Sequence, residues 1–287
     1  MFLPRTGLYI LLCAVMGIVG CAGNSSKPAP PQQVVKVFDP VRFVVAGSGT
    51  NLPVTVKLAE AYNKKTGQSV EIPPSIGTDG AVIALDSGAL ELGLVSRPLT
   101  QNEIDRGIKA IPYAKVGIVF GVPLAVTDDN LTPEELLNIH QGTKTKWSNN
   151  QTIFVIIREK HDSSNQVLYK LIPGYQAAIA QSIEQKRWQV AYKDAEAPVA
   201  ILNTPWSIAL TDSTEVEARK PGIKALRING VTPNLKNIAD GTYPYSKELW
   251  FAYKGNLTER AKQFIGFVKS EEGKKIITAL GAVPVAD

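Results

Sequence analysis

From Phe43 onward the chain keeps to one pattern: a short apolar run, a few small or hydroxyl residues, then a longer segment with helical spacing. Phe43–Val45 leads to Val54–Lys65, Val70–Ile72 leads to Ala81–Ser87, and Leu92–Val95 follows. The pattern resumes with a strand over Gly117–Val122, a helix over Pro133–His140, a strand over Ile153–Ile157 and a helix from about Ser164 that stops at Pro173-Gly174. Later segments predict strands at Ser207–Leu210, Ile223–Ile228 and Leu249–Tyr253, a short helix at Leu235–Ala239 and helices within Thr258–Leu280. Strands separated by helices need crossover connections, which parallel sheets covered by helices provide, so the expected class is α/β. No internal repeat accompanies the alternation.

The first twenty residues are of another kind. Arg5 is their only charged residue, an apolar run extends from Leu8 to Val19, and small residues precede Cys21. About a dozen apolar residues fall short of the roughly 18 to 20 that span a bilayer, so the segment reads as an export signal and not a membrane helix. Ile18-Val19-Gly20-Cys21 resembles the bacterial lipobox, which implies lipid attachment at Cys21; an ordinary signal with an incidental cysteine is the alternative. Asn24 to Gln33 is rich in Ser and Pro and too poor in apolar groups to repay ordering, as expected of a tether.

The remaining length suffices for two domains of ordinary size. The expected division is a signal over 1–20, a linker over 21–36, a first lobe over 37–120, a second lobe over 121–245 and a return to the first over 246–287. Val116 to Pro123 is the expected crossing strand, and the return is expected near Tyr243 to Tyr253.

Composition narrows the chemistry. Of two cysteines, Cys13 lies inside the signal, so no disulfide framework or cysteine nucleophile is expected in the mature domain. The two histidines, His140 and His161, argue against a multi-histidine zinc site, and no cofactor is expected. A formal charge of +5, or +4 once Arg5 leaves, is spread along the chain. It suits anionic ligands and does not form a nucleic-acid patch.

Three segments could hold an anion through the free N–H groups of a helix entrance. The first is Ala46-Gly47-Ser48-Gly49-Thr50-Asn51, the second Ser75-Ile76-Gly77-Thr78-Asp79-Gly80. The third, Arg158 to Asn165, adds a guanidinium that can fork onto an oxyanion, followed by Asp162, Ser163 and Ser164. Each has an ordinary structural alternative: a tight turn with Ser and Thr as caps, Asp79 as an N-cap, Asp162 or Ser163 as a cap with Arg158 paired to a surface acid. The four tryptophans read as packing residues. Three such entrances in one α/β chain point to a cleft at the carboxyl ends of the strands.

With Leu92-Gly93-Leu94-Val95-Ser96-Arg97-Pro98-Leu99 and Asp240-Gly241-Thr242-Tyr243-Pro244, these segments resemble the phosphate-binding proteins of ABC transporters. The resemblance covers Phe43 to Val285. It implies the type II periplasmic binding protein fold: two lobes, each a mostly parallel sheet flanked by helices, with the ligand cleft between them. It also implies that Ser48 and Thr50 match the first-turn ligands, that Ser96 matches the serine of a Ser-Asp pair, and that Arg158 and Ser164 match the ends of an R-x-x-x-S-G-T motif. Gly47, Gly49, Gly77, Thr78, Asp162 and Ser163 complete the expected site.

Two positions depart from that pattern. Arg97 stands where many phosphate binders carry the Asp that accepts a proton from hydrogen phosphate, and Asp162-Ser163 stands where they carry Ser-Gly. The expectation is that Asp162 supplies the acceptor from the opposite lobe, with Arg97 either turned to a surface acid or acting as a second cation. Trp206 replaces a glycine that relatives usually carry after the proline. The implied function is capture of phosphate or a similar oxyanion for an ABC permease by a lipid-anchored monomer outside the cytoplasm. A sensor or scavenger on the same fold is the first alternative, and a phosphatase using Ser48 or Ser164 with His161 and Asp162 is the second.

Overall fold

The structure is a computed structural model and describes residues 42–285; the expected export signal, lipid site at Cys21 and tether lie outside the described residues. The chain enters through β1 (Phe43–Gly47) and a 3-10 turn (Gly49–Asn51) into α1 (Leu52–Thr66), then β2 (Val70–Glu71), α2 (Gly77–Asp86), β3 (Leu92–Val95) and α3 (Gln101–Asp105). A long strand β4 (Ile108–Pro123) leads to β5 (Asn130–Leu131), α4 (Pro133–Gln141), β6 (Phe154–Arg158), α5 (Ser163–Leu171), α6 (Tyr175–Glu184), β7 (Gln189–Ala191), α7 (Glu196–Asn203), β8 (Ser207–Asp212) and α8 (Ser213–Ala218). After β9 (Ile223–Ala225), β10 (Arg227–Ile228) and α9 (Leu235–Ala239) come β11 (Ser246–Lys254), α10 (Glu259–Lys269), α11 (Glu271–Ala279) and β12 (Val283–Pro284).

The sheet order is β2-β1-β3-β11-β4-β8-β6-β7, with β9 and β12 also on β4. β1 lies parallel to β2 and β3, β6 lies parallel to β7 and β8, and β4 and β11 run antiparallel to their neighbours. The expected α/β class with crossover helices is therefore observed. β4 changes partners along its length: Gly117 faces Ser246 of β11, whereas Ile118 faces Asp212 of β8. Two apolar cores sit on either side of that change. One gathers Val45, Leu58, Leu92, Phe251 and Phe264; the other gathers Phe120, Ile139, Ile157, Leu168 and Ile179.

Helix boundaries follow local chemistry. α4 opens on a capping box between Thr132 and Glu135 with Pro133 in its first turn, and it ends on left-handed Gly142. Three sequence expectations need correction. β4 begins at Ile108, well before Gly117, because its Pro112 is absorbed at a bulge. Opposite Leu249 and Trp250 the ladder skips Tyr113, pairing Ala114 and then Pro112. Ile223–Ile228 is two strands, since Leu226 donates its N–H to Phe120 O at 2.9 Å and β10 leaves to pair with β5. The pattern also missed α6, α7 and α8; Pro173-Gly174, which ends α5, serves equally as the entrance to α6 through left-handed Gly174.

Candidate functional site

The first two segments meet at the carboxyl end of β1. Ser48 N donates to Leu94 O at 2.9 Å, and a Cβ on Gly47 would lie 2.1 Å from that same oxygen, so only glycine lets β1 and β3 close together here. The loop before α2 is tied to this turn: Ile76 N donates to Gly47 O at 3.1 Å, as does Ser75 Oγ at 3.0 Å. Gly77 N in turn donates to Ser75 Oγ at 3.2 Å. Thr78 Oγ1 accepts from Ser96 N at 3.3 Å, which fixes the end of β3 against the start of α2. Ser48 and Ser96 then sit side by side, their hydroxyls 2.8 Å apart.

The third segment brings charge. Asp162 caps α5, its Oδ1 accepting from Ser164 N at 2.9 Å and Asn165 N at 3.3 Å. Its Oδ2 accepts from Arg158 Nη2 at 2.9 Å and Nε at 3.2 Å. Both side chains are about 6% exposed. Burial alone raises a carboxyl pKa, but here the charges of Lys247 and Arg158 and the hydrogen bonds outweigh it, and Asp162 lies below its usual range. For Arg158 burial also opposes the charge, and Asp162 and Asp194 overcome it. Arg158 Nη1 is buried and has no partner among the described residues.

The two groups meet across the cleft. Ser96 Oγ lies 2.9 Å from Ser163 Oγ. Thr50 Oγ1 donates to Asp194 Oδ1 at 2.9 Å, and Asp194 Oδ2 lies 3.5 Å from Arg158 Nη2. A Cβ on Gly49 would come within 2.3 Å of Asp194 Oδ2, so this glycine makes room for a carboxylate from the β7–α7 loop. Lys247, at the start of β11, donates to Thr50, Ser163 and Ser164 hydroxyls at 2.9, 2.7 and 2.8 Å.

A cleft of about 700 Å³ opens over this arrangement, walled by Ser48, Gly49, Gly77 and Thr78 on one side and Arg158, Asp162, Ser163 and Asp194 on the other. Thr50, Ser96 and Ser164 are buried immediately behind the wall. The residues singled out in the sequence thus converge on one place.

One expectation changes, and one open alternative closes. Asp162 is not a free acceptor, since four donors already occupy its two oxygens. Of the two alternatives for Arg97, the turn to acids is the one observed: at the rim of the cleft it makes a fork onto Glu103 at 2.9 and 2.7 Å and reaches Asp79 at 2.7 Å. Glu103 is held at about 2, chiefly by that hydrogen bond.

Sequence reasoning missed Lys247 and Asp194. Lys247 alternates with buried Leu249 and Phe251, so its inward face was visible in the period of the strand. Asp194, in a short polar loop, carried no such sign. Trp206 adopts the left-handed backbone a glycine would favour, and its carbonyl accepts from Trp147 Nε1 at 2.8 Å; it is not part of the cleft wall.

The histidines do not form a catalytic pair with the serines. His140 is buried against Tyr175 and Leu136 O, its pKa pushed down to about 4 by burial, and neither imidazole hydrogen-bonds a site hydroxyl among the described residues. No group of three or more potential metal ligands, and no helix long and apolar enough to cross a membrane, occurs among the described residues.

Comparison with known proteins agrees with the architecture. The phosphate-binding protein PstS of Bacillus subtilis (strain 168) is 26% identical over 294 residues, covering 98% of this chain and 94% of that protein. PstS of Borreliella burgdorferi is 22% identical over 247 residues, covering 83% of this chain and 88% of that protein. A Clostridium perfringens structure, described as a candidate phosphate ABC transporter substrate-binding protein with bound phosphate, superposes with a TM-score of 0.75 at 24% identity, over 85% of this chain and all of that one. An ABC-type phosphate transport receptor from Vibrio cholerae gives 0.62 at 22% identity, over 84% and 99% of the two chains. The family model described as the PBP superfamily domain matches residues 34–272, most of the chain, and the chain belongs to that family.

Proposed function

We propose that the chain is an extracytoplasmic binding protein that captures phosphate for an ABC importer and catalyses no reaction itself. The observation that carries this is Arg158: a guanidinium about 95% buried at the cleft wall, with Nη1 unpartnered. A buried donor without an acceptor costs about 1–3 kcal/mol, and an oxyanion in the cleft supplies the acceptor. The names of the relatives point the same way.

In this reading Gly47, Ser48, Gly49, Thr50, Gly77, Thr78, Ser96, Arg158, Ser163 and Ser164 form the anion site, and Asp162 holds Arg158 in place. Asp194 takes the acceptor role. Asp194 lines the cleft beside Arg158, and its Oδ2 accepts no hydrogen bond among the described residues, only the 3.5 Å contact with Nη2. Hydrogen phosphate offers both an O⁻ for Arg158 and an O–H for Asp194. Sulfate offers no proton, and its oxygens would be repelled there.

The lobes divide where β4 changes partners, at Gly117–Ile118, and the return runs through β11; this strand pairing supports a first lobe interrupted by a second. A lipid on Cys21 and the tether after it would hold a monomer at the membrane, within reach of its permease. Calorimetric titration of the full chain with phosphate, sulfate, molybdate and methylphosphonate tests the function. Phosphate is expected to bind at least about a hundredfold tighter than sulfate; no binding of any oxyanion would overturn the assignment.

A further inference from the structure

Lys247 is the most deeply placed cation of the described fold that the site reading leaves without a task. Its residue is 6% exposed, on the face of β11 that also buries Leu249 and Phe251. Burying an ammonium is costly unless its protons are used, and all three are: one on Thr50, one on Ser163 and one on Ser164. It does not line the cleft.

An ammonium can only donate. Each of the three hydroxyls must therefore accept from Lys247 and turn its own proton elsewhere. Thr50 turns its proton to Asp194 Oδ1. Ser163 has Ser96 as its neighbour at 2.9 Å, and Ser96 has Ser48 at 2.8 Å; in the arrangement proposed below Ser163 turns its proton to Ser96, and Ser96 turns its own to Ser48. Two protons then have no acceptor among the described residues: that of Ser48, which lines the cleft, and that of Ser164 at the start of α5. A hydroxyl without this constraint can present either a lone pair or a proton, and a lone pair repels an anion.

We propose that Lys247 is a positioning residue of the anion site, a cation behind the wall that fixes the direction of the Thr50, Ser163, Ser164, Ser96 and Ser48 hydroxyls so that the two protons left over, those of Ser48 and Ser164, are free for the anion. The inference rests on the oxyanion reading given above. It assigns Lys247 an effect on affinity that passes through the serines. A lysine that merely balances the nearby Asp162 and Asp212 carboxylates would act independently of them.

A double-mutant cycle separates these roles. Phosphate affinity is measured by calorimetry, and folding by thermal unfolding, for the full chain, Lys247→Met, the pair Ser163→Ala with Ser164→Ala, and the triple variant. Lys247→Met is expected to lose about 30-fold in affinity, and only about threefold when the serines are already gone. Lys247→Arg keeps the charge, but its planar fork cannot serve the same three oxygens, so a loss of about fivefold is expected.

Full affinity in folded Lys247→Met, or losses that simply multiply, would overturn the proposal. If Lys247→Met does not fold, wild-type affinity in Lys247→Arg overturns it equally. A parent chain that binds no oxyanion would instead defeat the functional assignment, a result distinct from a parent that binds and a variant that still does.

Discussion

The two walls of the cleft are built on different principles. The wall from β1, α2 and β3 presents amides and hydroxyls, and its one nearby guanidinium, Arg97, is bound to Glu103 and Asp79 on the same side. The opposite wall carries the charges: Arg158 lies between Asp162 at 2.9 Å and Asp194 at 3.5 Å. The neutral wall is compact in sequence and depends on close backbone approach. The charged wall gathers residues from the end of β6, the cap of α5 and the loop before α7, and it depends on burial to keep each charge paired. In the proposed reading, shape comes from one side and electrostatic choice from the other.

The sharpest way to break this contrast is to remove the central charge. Arg158→Met leaves the buried Asp162 without its partner, so binding should fall at least about a thousandfold and stability by about 3–5 kcal/mol, read by titration and denaturant unfolding. A variant that kept its affinity would show that the neutral wall alone holds the anion. Asp194→Asn should weaken phosphate about tenfold while strengthening sulfate, narrowing the ratio of the two in competition titrations. Gly49→Ala, on the other wall, should reproduce part of that change, because its Cβ would displace Asp194 Oδ2. An unchanged ratio in both would separate Asp194 from selectivity.

A pH experiment probes the charged side further from the ligand. Glu215, buried and close to Asp212, is pushed up to about 7, chiefly by burial. A carboxyl raised in the folded state contributes fully below its unfolded pKa of about 4.3, and the contribution is lost as pH rises through 7. Glu215→Gln should therefore match the parent near pH 4.5 and melt about 3 °C higher at pH 8. Asp162 has the opposite sign, since its pKa is lowered: its contribution is present at neutral pH and is lost in acid. The smallest expected effect belongs to Arg97→Ala, which should change phosphate affinity less than about threefold and cost about 1 kcal/mol of stability by freeing Glu103. A large loss of affinity would place a working cation on the wall described here as neutral.

Legibility in the sequence followed the same division. Gly47-Ser48-Gly49-Thr50 and Gly77-Thr78 were readable because turn chemistry and helix entrances are local, and the strands leading to them had clear apolar runs. Arg158 and the Ser163-Ser164 entrance were readable for that reason too. The direction of Arg97 was not, because its acids lie six residues ahead and 18 behind. Asp162 was read as a free acceptor because the sequence shows a carboxylate at a helix entrance but not how many donors meet it. The first half of β4 was hidden by Pro112, which only a bulge against β11 accommodates.

The sequence by itself determined the class of fold, much of the alternation of strands and helices although not α6, α7 or α8, and the three helix entrances whose amides and hydroxyls can face an anion. These depend on propensity, capping and apolar period, all set within a few residues. Only the tertiary structure decided which charges serve the site. Thr50 meets Asp194 across 144 positions of chain, and Lys247 meets Ser163 across 84. Coulomb and hydrogen-bond energies depend on distances of a few ångströms and on burial, and neither quantity exists until the sheets have packed.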